Sequence, residues 1–301
     1  MRRAAVTAAA VVALLARVSV AHGAASARLD VFPSHPRVGQ TVTVQLRPFW
    51  TFSDGTLAPA LFPSDYRWSV AAISWSGRSL VRIARTPGNP YLWSGTTKFG
   101  MRGSWTICVL NFSSTGRACV PHSPGWQRLR VRPRGAPLDV WQRLERPFHI
   151  PTIAGGSRCP TTGASPNGDL SRIPGFVGTA WGGGPAYPGG LDVGEGKPVL
   201  RYEDPILPGS GFYGSAWSGN KVLWIVDPVY RGPLLIRGRQ LDGPNELRFD
   251  NGILPPRTLK IPSAAARNRA SYTRVRGPGC YAYQIDGLGF SYVIVFEATP
   301  F

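Results

Sequence analysis

Four cysteines, Cys108, Cys119, Cys159 and Cys280, hold most of the reactive chemistry available to this 301-residue chain. A thiol can serve as a nucleophile, a zinc ligand or half of a disulfide, and its sequence setting separates these uses. No pair has the C-x2-C spacing of a zinc site, and only His122 stands close to a cysteine. Around Cys280, in GPGCYAYQIDG, no neighbouring base or CxxC partner is placed to lower the thiol pKa. An even count argues for disulfides, with three pairings open on count alone. Bridging within each half is the economical solution. Cys108 and Cys119 flank a turn-forming stretch, Asn111 to Gly116, and opposed residues of an antiparallel pair lie within a disulfide's reach. Cys159 to Cys280 would staple the entry of a second domain to its penultimate strand.

Other groups offer weaker chemistry. A serine hydrolase would have to draw on His35, His122 or His149, and no G-x-S-x-G elbow is present. Glu203, Asp204 and Asp227 have the residue type of glycosidase carboxylates, but they lie in acidic-Pro stretches that start turns. Gly190 to Pro198 resembles a phosphate loop only in part: the spacing is one residue too long, and Pro198 stands where a hydroxyl should bind magnesium. Tyr187, Tyr213, Trp217 and Tyr230 could form a sugar platform or simply anchor loops. Asn111-Phe-Ser113 is formally a glycosylation sequon.

The N-terminus sets the compartment. Met1-Arg2-Arg3 followed by the apolar run Ala4 to Ala16 reads as a signal peptide, shorter than the roughly 20 residues of a membrane span. Small-x-small sites place cleavage after Ala21 or Ala27. Export makes oxidised cysteine the default. Cleavage after Ala21 would start the chain at His22, whose amine and imidazole could bind copper with His35 as a further ligand. That gives a second functional class, a copper-binding accessory protein, and a cryptic extracellular hydrolase makes a third. The leading expectation is a secreted or cell-envelope protein that binds without catalysis and needs no cofactor.

Charge points the same way. The formal net charge is +18, and losing Arg2, Arg3 and Arg17 with the leader leaves about +15, a field that attracts polyanions. Outside the cytoplasm those are anionic envelope polymers, glycans or other envelope proteins. No recognition helix or RNA-binding aromatic motif supports nucleic acid. Only four of the 34 basic residues are lysine, so coding bias and solubility also explain part of the charge. The stripe Arg128, Arg130 and Arg132 is the expected polyanion contact. Oligomeric state is not legible.

The elements that must position these groups are strands. Gly (36) and Pro (29) break helices, while 33 aromatic residues (10 Trp, 10 Tyr, 13 Phe) supply a core. Period-2 alternation marks Val38 to Leu46, Ser104 to Val109 and Trp126 to Arg132. With Ala27 to Phe32, Tyr66 to Trp75, Ser79 to Arg85 and Tyr91 to Phe99 this gives about seven strands, the count of an immunoglobulin-like sandwich. A linker with a short helix near Leu138 to Glu145 is expected over 134–157. Gly155 to Gly196 reads as long loops. Strands resume at Lys221 to Val226, Leu234 to Arg239, Glu246 to Phe249, Arg257 to Ile261, Tyr272 to Arg276, Cys280 to Ile285 and Phe290 to Glu297. The expectation is therefore all-β: a signal peptide over 1–27, an immunoglobulin-like sandwich over 28–133, and a second sandwich over 158–301.

Two resemblances add to this. Phe32 to Val44 resembles the first hairpin of many bacterial extracellular immunoglobulin-like domains. Arg146 to Pro160, Gly183 to Tyr187, Trp217 to Trp224, Tyr230 to Gly243 and Pro278 to Gly287, in that order, look like a family of uncharacterised exported bacterial proteins. The second resemblance covers residues 146–301 and implies an exported β domain with a Cys-Pro near its start and a Gly-Cys-Tyr near its end. It implies no activity.

Overall fold

The computed structural model describes residues 24–51, 57–63, 65–110, 126–154, 156–165, 178–191, 196–262 and 268–301. His22, Cys119, His122 and the cleavage site after Ala21 lie outside the described residues.

The chain is all-β with one short helix among the described residues. The first sandwich holds β1 (Ala24–Phe32), β2 (Thr41–Thr51), β3 (Leu57–Pro59), β4 (Val70–Ser74), β5 (Gly77–Val81), β6 (Ala84–Arg85), β7 (Trp93–Lys98), β8 (Gly103–Val109) and β9 (Trp126–Val131). One sheet runs β1-β2-β7-β6, with β3 added to β2, and the other runs β5-β4-β8-β9. Lettered in chain order, this is A-B-E-D facing C′-C-F-G, an immunoglobulin-like arrangement. Alternation explains the core: Val42, Val44 and Leu46 of β2 pack with Val70, Ile107, Leu129 and Val131, while Thr41, Thr43 and Gln45 turn to the opposite face of the sheet, where Gln45 is buried. Ser79 to Arg85, read from the sequence as one strand, is two. β5 pairs with β4 and β6 with β7, because the chain crosses from one sheet to the other at Arg82-Ile83.

Between the sandwiches stands α1 (Val140–Leu144). Asp139 caps it by accepting from the Gln142 amide, and the Gln142 side chain accepts in return from the Asp139 amide. The second sandwich holds β10 (Ala186–Gly189), β11 (Val199–Tyr202), β12 (Ser218–Val226), β13 (Leu234–Gln240), β14 (Arg248–Phe249), β15 (Leu259–Ile261), β16 (Asn268–Val275), β17 (Gly279–Asp286) and β18 (Ser291–Pro300). Its sheets run β10-β12-β16-β14 and β11-β18-β17-β13-β15, with β11 parallel to β18. Sequence reasoning missed β3, β10 and β11. β10 is Ala-Tyr-Pro-Gly, inside the segment read as loops, and too short to show a period.

Tyr281, Tyr283 and Ile285 of β17 face the second core with Trp224 and Phe296. Cys280 and Ala282 face the opposite side, where Val295 and Leu241 extend the apolar surface. That outer face is covered. Phe148, Ile150 and Ile153, from the segment expected to be a linker, are buried on it together with Phe32 from β1. The Cys159–Cys280 bridge, with Cα atoms 5.4 Å apart, pins the end of this cover to the sheet. Cys108 is also disulfide-bonded and buried.

The Cys159–Cys280 bridge spans 121 residues. Removing it with the pair C159A/C280A is expected to cost about 4–5 kcal/mol in the chain-entropy description, read as a lower denaturant midpoint. A loss below about 1 kcal/mol would mean that the cover packs equally well without its staple.

Candidate functional site

Where β1 of the first sandwich meets β13 of the second, arginines outnumber their partners. Asp30 pairs with Arg28 (3.9 Å), Arg47 (3.6 Å) and, at shortest range, Arg239. Glu246 takes Arg28 (2.5 Å), Arg257 (3.3 Å) and Arg248. Asp286, wholly buried, takes Arg237 (2.6 Å) and Arg146 (3.6 Å). Three carboxylates thus serve seven guanidiniums. Arg28 and Asp30 link the sandwiches directly, since each pairs with a residue more than 200 positions away.

Local structure explains the convergence. Along β13, Leu234 and Ile236 enter the second core, so alternation turns Leu235, Arg237 and Arg239 to the opposite face. Gly238 lies between the two arginines on the core side, where a Cβ would run into the Leu247 side chain and the Ala282 carbonyl oxygen. Only glycine lets β13 lie against β17 there. Phe148 then organises the charges: the Arg237, Arg239 and Arg47 guanidinium carbons stand 4.8, 4.9 and 6.0 Å from its ring centroid. The Phe32 ring stands 5.3 Å from the same Arg237 guanidinium carbon and meets Phe148 edge-on. Desolvated cation–π contacts of this kind contribute up to about 2 kcal/mol each. Further hydrogen bonds close the junction. Gln45 donates to the Phe148 carbonyl, Gln284 to the Pro147 carbonyl, and Arg237 to the Arg146 carbonyl.

Burial alone would raise the Asp30 carboxyl, but Arg239, Arg28 and Arg47 outweigh it and hold it below the ordinary carboxylate value. Glu246 behaves alike: burial raises it, and Arg28, Arg257, Arg248 and Arg239 pull it below normal. Arg239 shows the other side of the imbalance. Burial pushes it down to about 9, only partly countered by Asp30.

A cleft of about 450 Å³ opens over this junction. Its floor is β1 and β13, including Phe148, Arg237 and Arg239; one wall is α1, with Asp139, Trp141 and Glu145; the other carries Glu246, Arg257 and Lys260. Lys260 Nζ stands 5.5 Å from the Trp141 ring. The size is ordinary for a small-molecule site.

The sequence-derived residues are dispersed by comparison. Arg128 and Arg130 are exposed on β9, whereas Arg132 is half-buried because its guanidinium donates to Gln142 Oε1 at 2.8 Å. Ser34 Oγ and His35 Nδ1 are hydrogen-bonded at 2.9 Å, and His35 lines the cleft rim. His149 lies 3.4 Å from Ser291 Oγ. Glu203 accepts from Leu207 N and Ser210 Oγ, and Asp227 from Val229 N, so both organise turns. Tyr187 is buried while Tyr213 is exposed, so they share no platform. Among the described residues no group of three or more His, Cys, Asp or Glu is gathered to hold a metal. Sequence reasoning missed the arginine junction. Its one local signal was Arg237-Gly-Arg239, two cations in an otherwise apolar strand.

No family model matches the chain, and no curated protein matches it. Among solved structures it is similar to the Escherichia coli adhesin FdeC, at 12% identity and a TM-score of 0.26 over 92% of this chain and 66% of that one. It is also similar to the Yersinia pseudotuberculosis adhesin InvE, at 10% identity and TM-score 0.22, covering 91% and 58%. A third is invasin, a bacterial integrin-binding protein, at 10% identity and TM-score 0.24, covering 92% and 41%. The chain thus spans 41% to 66% of the length of these structures. Likeness this faint carries no functional argument, and the immunoglobulin-like assignment rests on strand order.

Asp30→Asn keeps the shape of the junction but leaves Arg28, Arg47 and Arg239 without their shared countercharge, and is expected to destabilise by about 3–5 kcal/mol. Asp227→Asn, which retains a turn acceptor, should stay within about 0.5 kcal/mol. The pH dependence follows from the sign of the shifts. Asp30 and Glu246 ionise more readily folded than unfolded, so their contribution is complete above their unfolded values near about 4 and is lost as pH falls below them. Asp242, raised by burial, works in the opposite direction as a single group. Melting temperature should be level from about pH 7 to 5 and fall steeply below about 4, with the fall reduced in Asp30→Asn.

Proposed function

We propose that the chain is an exported, two-sandwich binding protein of the cell envelope or extracellular space, and that it engages an anionic polymer without catalysis. The observation that carries this reading is the outer face of the β5-β4-β8-β9 sheet. Register places Arg78 opposite Ile73, Ile73 opposite Thr106, Thr106 opposite Arg128, and Ser104 opposite Arg130. Three exposed guanidiniums therefore share one sheet face, Arg78 and Arg128 three strand spacings or roughly 14 Å apart. None of the four strands contains an Asp or Glu. Arg128 also lies over the Trp126 ring at 5.6 Å. An immobile row of guanidiniums of this spacing suits the repeated carboxylates or phosphates of a linear polymer.

Export is supported by the leader-like N-terminus and by the disulfides. The resemblance over residues 146–301 agrees with an exported protein. Of the two cleavage sites, the one after Ala21 leaves β1 whole. Cleavage after Ala27 would take Ala27, 1% exposed, out of the first core.

Intact-mass measurement of the secreted protein should therefore give a chain beginning at His22, and a chain beginning at Arg28 would contradict this. Co-sedimentation with insoluble anionic polysaccharide should be strong at about 0.1 M salt and largely lost at about 1 M, where the screening length drops from about 10 to 3 Å. R128Q/R130Q should weaken it about tenfold. Retention that ignores both salt and the variant would refute the polymer reading.

A further inference from the structure

We propose that the junction cleft is a discrete binding site for a carboxylate-bearing sugar, a uronic acid unit, separate from the arginine face on the first sandwich. Four observations converge on it. The first is charge. The lining itself is balanced, Arg237, Arg239, Arg257 and Lys260 against Asp30, Asp139, Glu145 and Glu246, and the positive excess comes from behind it, where Arg28, Arg47, Arg146 and Arg248 stand against Asp286. Two of the acidic groups are engaged elsewhere. Asp139 caps α1, and Glu145 accepts from the Ser34 amide and hydroxyl.

The second observation lies in the floor. Arg237 and Arg239 are 3% and 4% exposed, yet Arg237 Nε and Nη1 and Arg239 Nε are without hydrogen-bond partners. Both residues line the cleft, and an anion entering it would satisfy donors that are otherwise left over. Third, the rim supplies cations that solvent, and therefore a ligand, can reach: Arg257, whose side chain is 62% exposed and whose Nε pairs with Glu246, and the exposed Lys260. An arginine can receive a carboxylate with two parallel hydrogen bonds. Fourth, Trp141 is half-buried on the facing wall, with Lys260 against its ring. An indole face opposite a cationic rim suits a ring that is apolar on one side and carries a carboxylate at its edge.

The carboxylate is assigned to Arg257 and Lys260, the sugar face to Trp141, and the buried Arg237 and Arg239 provide the field that favours an acidic over a neutral ring. The test is titration calorimetry of the secreted protein with digalacturonate, its dimethyl ester and inorganic phosphate. The proposal predicts one molecule of digalacturonate per chain, with the ester and phosphate each bound about tenfold or more weakly. R257Q/K260Q removes the most exposed of the three partners of Glu246 and should lower the melting temperature by no more than a few degrees while losing about tenfold in affinity. Trp141→Leu should weaken the sugar without restoring binding of phosphate. R128Q/R130Q should bind digalacturonate as the parent does, so loss of polymer retention and loss of cleft binding are read separately. No binding, equal binding of acid and ester, phosphate as tight as the sugar acid, or indifference to R257Q/K260Q would each overturn the site.

Discussion

Asp30 on the first strand of the first sandwich pairs with Arg239 in the middle of the second, and the arrangement of the two sandwiches depends on that contact and its neighbours. A largely buried guanidinium without a countercharge costs several kcal/mol, so Arg237, Arg239 and Arg47 can face the interior only where carboxylates meet them. Asp30, Glu246 and Asp286 are those carboxylates, and each is shared. Sharing keeps the charges together but leaves the region cationic. The fold thus combines a tight junction with a residual field above it.

The remaining architecture serves this junction. Gly238 lets β13 approach β17 closely enough to hold Arg237 and Arg239 side by side. Phe148 and Phe32 stand against the guanidiniums, and cation–π attraction offsets part of the cost of removing those charges from water. Phe148, Ile150 and Ile153 cover the outer face of the second sandwich, and Cys159–Cys280 fixes that cover. The segment between the domains is therefore part of a core. Three stretches far apart in sequence, Arg146 to Pro160, Tyr230 to Gly243 and Pro278 to Gly287, meet here: Arg146, Phe148, Arg237, Arg239, Cys280 and Asp286 are all junction residues.

Much of the fold is legible in the sequence because alternation is a local signal. Thr41 to Leu46 and Gln127 to Val131 announce their buried faces within a few residues. So does Tyr281 to Ile285, where the bridge on the opposite face also follows from an even cysteine count read together with a leader-like N-terminus. β10 and β11 fail the same test because four residues show no period, and Ala186 to Gly189 is stabilised by pairing with β12 rather than by its own pattern. The junction was illegible for a different reason. Arg28 and Glu246 are 218 positions apart, and a long-range ion pair leaves no spacing to read. Among the arginines that the sequence assigns to solubility or to a surface stripe, the structure draws several into a largely buried network and leaves others exposed, Arg78, Arg128 and Arg130 among them.

The cleft is bounded by residues of both sandwiches and exists only where they move as one body. Backbone 15N relaxation on the intact secreted chain tests this most directly. A shared ionic junction with a covered sheet predicts one rotational correlation time and one diffusion tensor for strands of both sandwiches at neutral pH. Two separate correlation times, each near that of an isolated domain, would contradict the account.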